Sequence, residues 1–161
     1  MATMAQDSER TYRSEEREYR WHGHTGRGRL RDESADRSER QFAMFNHLAG
    51  LLSLADFTFL GVIATVVMWL SRRDDSEFLD DHGKEAVNFQ ISLLLYVVFG
   101  VVAAVLFAIM TLGIGAPLLV IFGPLGVVFL FVLRLVGCIS AAMAANRGEF
   151  YRYPMCIRLI R

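Results

Sequence analysis

Five polar side chains recur along one stretch: Asp81, Glu85, Asn88, Ser92 and Tyr96, at steps of four, three, four and four. On a continuous helix they share one face. In a lipid setting such a stripe turns away from the acyl chains. It serves either as the lining of a polar path or as hydrogen-bond glue between helices, worth about 0.6–2 kcal/mol per contact. Asp80, Asp81, His82 and Glu85 also have the donor types for a divalent cation. Acid clusters at a membrane surface are usually solvated or paired, here with Lys84 and Arg73, so no metal is assigned. His22 and His24 lack further ligands nearby. Cys138 and Cys156 form neither a metal spacing nor a disulfide framework. Nothing resembles a Ser/His pair, a paired Asp or a His-Glu-x-x-His site. The sequence therefore predicts no catalytic residue, no cofactor and no enzyme.

The elements that position this stripe follow from where the charge lies. The chain has 161 residues, 53% of them hydrophobic and 21% charged, with a formal net charge of zero. Residues 1–40 hold matched Arg and Asp/Glu, whereas residues 86–133 carry no charged side chain. So long an uncharged apolar run excludes a small soluble domain. The balanced tail also argues against nucleic acid as a partner. The expected fold is an all-α integral membrane protein, a small bundle of about four helices. A short helical hairpin accompanies two long spans.

The expected helices lie near 42–55, 57–71, 77–112 and 117–146. An interfacial segment follows over 148–161, rich in aromatic residues and Arg. Residues 41–161 form the membrane domain, and 1–40 form a charged tail too poor in aliphatics to fold. Asp74 with Glu77 suggests the start of the third helix. The Gly/Pro break over 111–117 suits a turn, and Gly123-Pro124 a kink.

Residues 42–70 admit two readings. One span gives three crossings, with Asp56 and Arg134 at similar depth and able to pair. Two short helices turning at Asp56 put both termini and the charged connector on one side. The positive-inside rule favours the second reading, because Arg72, Arg73, Lys84, Arg147, Arg152 and Arg158 then share the cytoplasmic side. Each half is only about 14 residues, or about 21 Å, which suits a re-entrant hairpin. Arg134 then faces the bundle interior, snorkelling or bonding Asn88, Asn46 or His47.

Three segments carry a resemblance: Asp80-Asp-His-Gly-Lys-Glu-Ala-Val-Asn-Phe-Gln90, Asn146-Arg-Gly-Glu-Phe-Tyr-Arg-Tyr-Pro154 and His47-Leu-Ala-Gly-Leu-Leu52. They resemble signatures of the Tic twenty-like family of prokaryotic membrane proteins, a domain of unknown function. The signature positions are His82, Gly83, Lys84, Glu85, Asn88, Phe89, Gln90, Gly148, Glu149, Tyr151, Arg152, Tyr153 and Pro154. Asp81 stands where that family usually has Glu. The expected location is the prokaryotic plasma membrane, and the resemblance implies a bundle of about four membrane helices. It also implies kinship with a chloroplast import-channel component, and it carries over no catalytic residue. The functional expectation is a structural or interaction subunit of a membrane assembly. The alternative is a channel or translocase-like subunit with a path lined by the stripe. The expected partners are the lipid bilayer and either further copies of the chain or other membrane proteins.

Overall fold

The computed structural model describes residues 23–24, 30–56 and 59–160. Most of the expected tail, with His22, lies outside the described residues, as does the side chain of Asp56. Two short strands, β1 (Gly23–His24) and β2 (Leu30–Arg31), pair antiparallel. Four helices follow: α1 (Arg37–Ala49), α2 (Phe59–Arg72), α3 (Glu77–Met110) and α4 (Ala116–Asn146). A 3-10 turn (Gly50–Leu52) and one helical turn (Ser53–Asp56) prolong α1. The protein is an all-α membrane bundle, in which α3 and α4 are each long and apolar enough to cross a membrane.

The first helix begins before the expected residue 42 because a capping box starts it among the charges. Asp36 Oδ1 accepts from the Glu39 amide at 2.7 Å, and Glu39 Oε2 accepts from the Asp36 amide at 2.9 Å. Two orphan amides of the first turn are thereby satisfied. The third helix begins at Glu77 as expected, with a different cap. Ser76 Oγ accepts from the Leu79 amide, while Asp74 instead pairs with Arg73 at 3.6 Å.

Residues 42–70 form the hairpin and not a single span. Its legs close on Gly61, whose amide donates to Ser53 Oγ at 2.9 Å. A Cβ on Gly61 would collide with Ser53 Oγ and the Gly50 carbonyl. Thr65 Oγ1 then bonds the Gly61 carbonyl at 2.8 Å.

The turn between α3 and α4 uses Leu112 and Gly113 at positive φ, and α4 runs continuously through Pro124. The far end of α4 is closed by Gly148 at φ 73°, with the Glu149 amide returning to the Ala144 carbonyl at 2.9 Å. Positive φ at this position is the usual helix stop, and glycine takes it without a Cβ clash. The chain then meets β2, where the Phe150 amide donates to Leu30 O and the Asp32 amide to Gly148 O, both at 2.9 Å.

Packing is confined to one end of the long helices. One buried cluster joins Ala35, Ala43, Phe78, Leu79, Ala145 and Phe150. A second joins Phe89, Leu93, Cys138, Ala141, Ala144, Tyr151 and Tyr153. On α3 burial stops at Leu93, and on α4 it starts at Arg134. Beyond those levels the two helices expose apolar side chains such as Phe99, Ile109, Val120 and Phe122.

Gly61→Val overpacks the hairpin and lowers detergent-solubilised stability by about 1–3 kcal/mol, read as a lower unfolding midpoint by circular dichroism. Gly100→Ala, where among the described residues nothing beyond the adjoining helix backbone lies within 4 Å of an added Cβ, leaves the midpoint unchanged or raises it.

Candidate functional site

The stripe on α3 is covered by the chain's own C-terminal segment. Asp81 takes a two-pronged bond from Arg152, at 2.6 and 2.7 Å. Glu85 Oε1 accepts from the Tyr153 amide at 3.0 Å and from Arg158 Nη2 at 2.9 Å. Asn88 Oδ1 accepts from the Leu159 and Ile160 amides at 3.0 and 2.9 Å, and its Nδ2 donates to Ile160 O at 2.8 Å. Ser92 Oγ accepts from the Ile157 amide at 2.8 Å. Tyr96 donates its hydroxyl to Met155 O at 2.6 Å.

Read along the stripe, these partners trace a loop. The segment runs inward from Arg152 to Met155, which bonds Tyr96. It turns at Pro154–Met155, where Met155 adopts φ 55°, and returns to Asn88 at Ile160. Glu85 receives a bond from each limb, Tyr153 going in and Arg158 coming back. From Glu85 to Tyr96 the helix rises about 16 Å. Non-helical backbone is tolerated at membrane depth only where its amides and carbonyls find partners in the protein. The stripe supplies them, with Asn88 and Ser92 almost completely buried beneath the loop.

The two paired arginines differ in setting. Each bond to a carboxylate raises the guanidinium pKa above its ordinary value, through Asp81 for Arg152 and through Glu85 for Arg158. The Asp81 carboxylate is partly exposed, whereas the Glu85 side chain is only 4% exposed. A cleft of about 340 Å³ opens beside the two arginines, lined also by Glu77, Asp80, Asp81 and Lys84.

Beneath the loop lies a chain of three side chains that the sequence pattern did not join. His47 Nε2 and His82 Nδ1 lie 2.8 Å apart, and the Tyr153 hydroxyl is 3.0 Å from His47 Nδ1. Phe89 stacks on Tyr153 with 3.9 Å between ring centroids, and Phe150 stacks over His82 at 5.9 Å. Thus α1, α3 and the C-terminal segment meet at one buried polar point. His82 sits one position off the stripe, so helical periodicity alone assigned it no partner.

The cluster weighed as a cation site comes apart. His82 turns inward to His47, while Asp80 takes bonds from Lys84 at 2.6 Å and from Trp69 Nε1 at 2.9 Å. Among the described residues no group of three or more His, Cys, Asp or Glu is placed to hold a metal. Gln90, off the stripe, is buried and reaches Cys138 Sγ at 3.8 Å.

Arg134 is buried, and its Nη1 donates to the Ser53 carbonyl at 3.2 Å. The sequence suggested Asn88, Asn46 or His47 for it, and did not point to this backbone acceptor on the α1 leg. Arg134 lies level with the end of the α1 leg, where helix-terminal carbonyls lack intrahelical donors.

Residues 38–160 match the family model described as the magnetosome magnetite crystal formation protein family. No curated protein and no solved structure matches the chain. The match overturns the resemblance to the Tic twenty-like family. All three segments that carried it lie inside the matched range. Two of them, Asp80–Gln90 and Asn146–Pro154, face each other in the fold through Asp81–Arg152, Glu85–Tyr153 and Phe89–Tyr153. In this fold they are packing motifs of the bundle.

Arg158→Ala strands the buried Glu85 with the Tyr153 amide as its remaining partner among these bonds, and costs about 1–3 kcal/mol. Arg152→Ala removes a half-exposed pair and costs less than about 1 kcal/mol. Unfolding midpoints of the two variants in one detergent check the order. Asn88→Leu loosens residues 157–160, read as faster amide hydrogen exchange there with exchange in α1 unchanged.

Proposed function

The chain belongs to the magnetosome magnetite crystal formation protein family, and on that premise we propose that it is a structural or interaction subunit of the magnetosome membrane. It works without catalysis, and its termini lie on the cytoplasmic side. One observation carries the reading. The polar groups on the face of α3 spend their hydrogen bonds on the chain's own C-terminal loop, from Asp81 through Tyr96. A stripe used in this way builds a rigid head and leaves little capacity to conduct or to react.

The orientation rests on charge. Arg72, Arg73, Lys84, Arg147, Arg152 and Arg158 all sit at the packed end, and the turn over 111–115 carries no charge. The positive-inside rule puts the packed end on the cytoplasmic side. Where the sequence alone suggested the plasma membrane, the family description supports the magnetosome membrane as the location. Within it the subunit offers two surfaces to other proteins, the charged head and the lipid-facing long helices, and either can bring copies or partners together.

The test has two readings. Detergent extracts of magnetosome membranes are expected to hold the chain in a species heavier than one copy, measured by native mass spectrometry. Liposomes containing the purified chain are expected to pass no ion or peptide flux. A single-copy species in gently solubilised membranes removes the subunit reading. A flux that Asn88→Leu abolishes replaces it with a conducting one.

A further inference from the structure

The protein does not occupy the two halves of a bilayer equally. At the packed end four helices and the C-terminal loop lie side by side. The hairpin of α1 and α2 ends near Ser53 and Phe59, level with Arg134 through its bond to Ser53 O. By helical rise that level is about 18 Å from Asn146. The C-terminal loop turns back at Met155, against Tyr96. Past this level, among the described residues, only α3 and α4 continue, over 97–110 and 116–133, for about 20 and 26 Å.

The surroundings on each side of that level are those of lipid. On the far segment apolar side chains point outward all round, as at Val98, Phe99, Val120 and Ile121. Among the described residues, nothing beyond the adjoining backbone of the same helix lies within 4 Å of where a Cβ would sit on Gly100, Gly123 or Gly126. On the near segment α2 also shows lipid an apolar face, with Phe59, Ile63 and Val67 each more than half exposed. The outer side of α1 passes from Arg37 and Gln41 to Phe45. That order, polar then apolar toward the tip, is that of a helix crossing the headgroup boundary.

With about 15 Å of hydrocarbon per leaflet, the lengths of the far segments fill the far leaflet and the innermost part of the near one. The cross-section in the outer part of the near leaflet and its headgroup layer is therefore roughly twice that in the far leaflet, counting four helices of about 10–12 Å against two. A bilayer tolerates such a wedge best where the leaflet holding the broad end is stretched, on the outside of a curve. Insertion into one leaflet is sensitive to curvature for the same reason.

We propose that this protein senses and stabilises membrane that is convex on the side bearing its termini. Its partner in this activity is the lipid surface itself. The activity needs no second protein, so it stands apart from the subunit reading above.

The full chain, carrying a fluorophore on its N-terminal tail, is reconstituted into vesicles of mixed diameter made from phosphatidylcholine and phosphatidylglycerol. A membrane-impermeant quencher separates molecules with outward termini from those with inward termini. The density per unit area of the outward population is expected at least to double from the largest to the smallest vesicles. The inward population is expected to stay level or fall. A density of outward molecules that does not depend on vesicle size overturns the proposal. So does equal enrichment of both orientations, which indicates attraction to loosely packed lipid and not a fit of shape.

Discussion

A membrane interior supplies no hydrogen bonds, and this protein places an extended segment of chain against a membrane-crossing helix. Every exposed amide of such a segment costs free energy unless protein meets it. The solution is a row of side chains on α3 at helical spacing, each reaching backbone or a side chain of residues 152–160. Asn88 meets the most backbone groups, accepting from two amides and donating to one carbonyl. The loop in turn shields Asn88, Ser92 and Glu85 from the apolar surroundings. Neither partner is stable at that depth without the other.

That mutual need explains why the packed end is so densely tied together. Tyr153 belongs to both clusters of interactions: its amide meets Glu85, its ring stacks on Phe89, and its hydroxyl reaches His47. Through His47 the loop fixes α1, and through Phe150 it fixes β2 and His82. Arg134 does similar work further in, tying α4 to the end of the α1 leg. The hairpin of α1 and α2 is too short to cross a membrane by itself. It holds its place because its α1 leg is bonded at Ser53 and its legs close on Gly61.

Much of this was legible in the sequence, and the reason is physical. Apolar length and the siting of charge mark helices that must cross lipid, so α3 and α4 stood out, and the basic residues favoured a hairpin over 42–70. The period of the stripe showed that Asp81, Glu85, Asn88, Ser92 and Tyr96 share a face. What that face meets was not legible. Helical periodicity tells which residues lie together on one element and nothing about an irregular segment about 70 residues away. The composition of 148–161, aromatic with arginine, fitted a surface belt equally well. The capping box at Asp36 was hidden because its residues stand in a run of like composition, where a cap and a solvated tail look the same. The His47–His82 pair required two helices to be placed before either imidazole had a neighbour.

The mistaken resemblance follows from the same division. Segments 80–90 and 146–154 are distinctive because each must fit the other. The second must also end a helix at Gly148, turn, and supply Arg152 and Tyr153 to the first. Likeness confined to such segments reports on packing and does not by itself assign a family or a role. The information that separates one such bundle from another lies where packing leaves freedom. In this chain those places are the exposed faces of α2 and the far halves of α3 and α4, and the charged rim beside Arg152 and Arg158. The packed core makes the head rigid, and rigidity is what allows an unequal outline to act on lipid. A head that could flatten or spread would adapt to any leaflet, whereas one tied through Glu85, Asn88 and Tyr153 must be accommodated by the membrane around it.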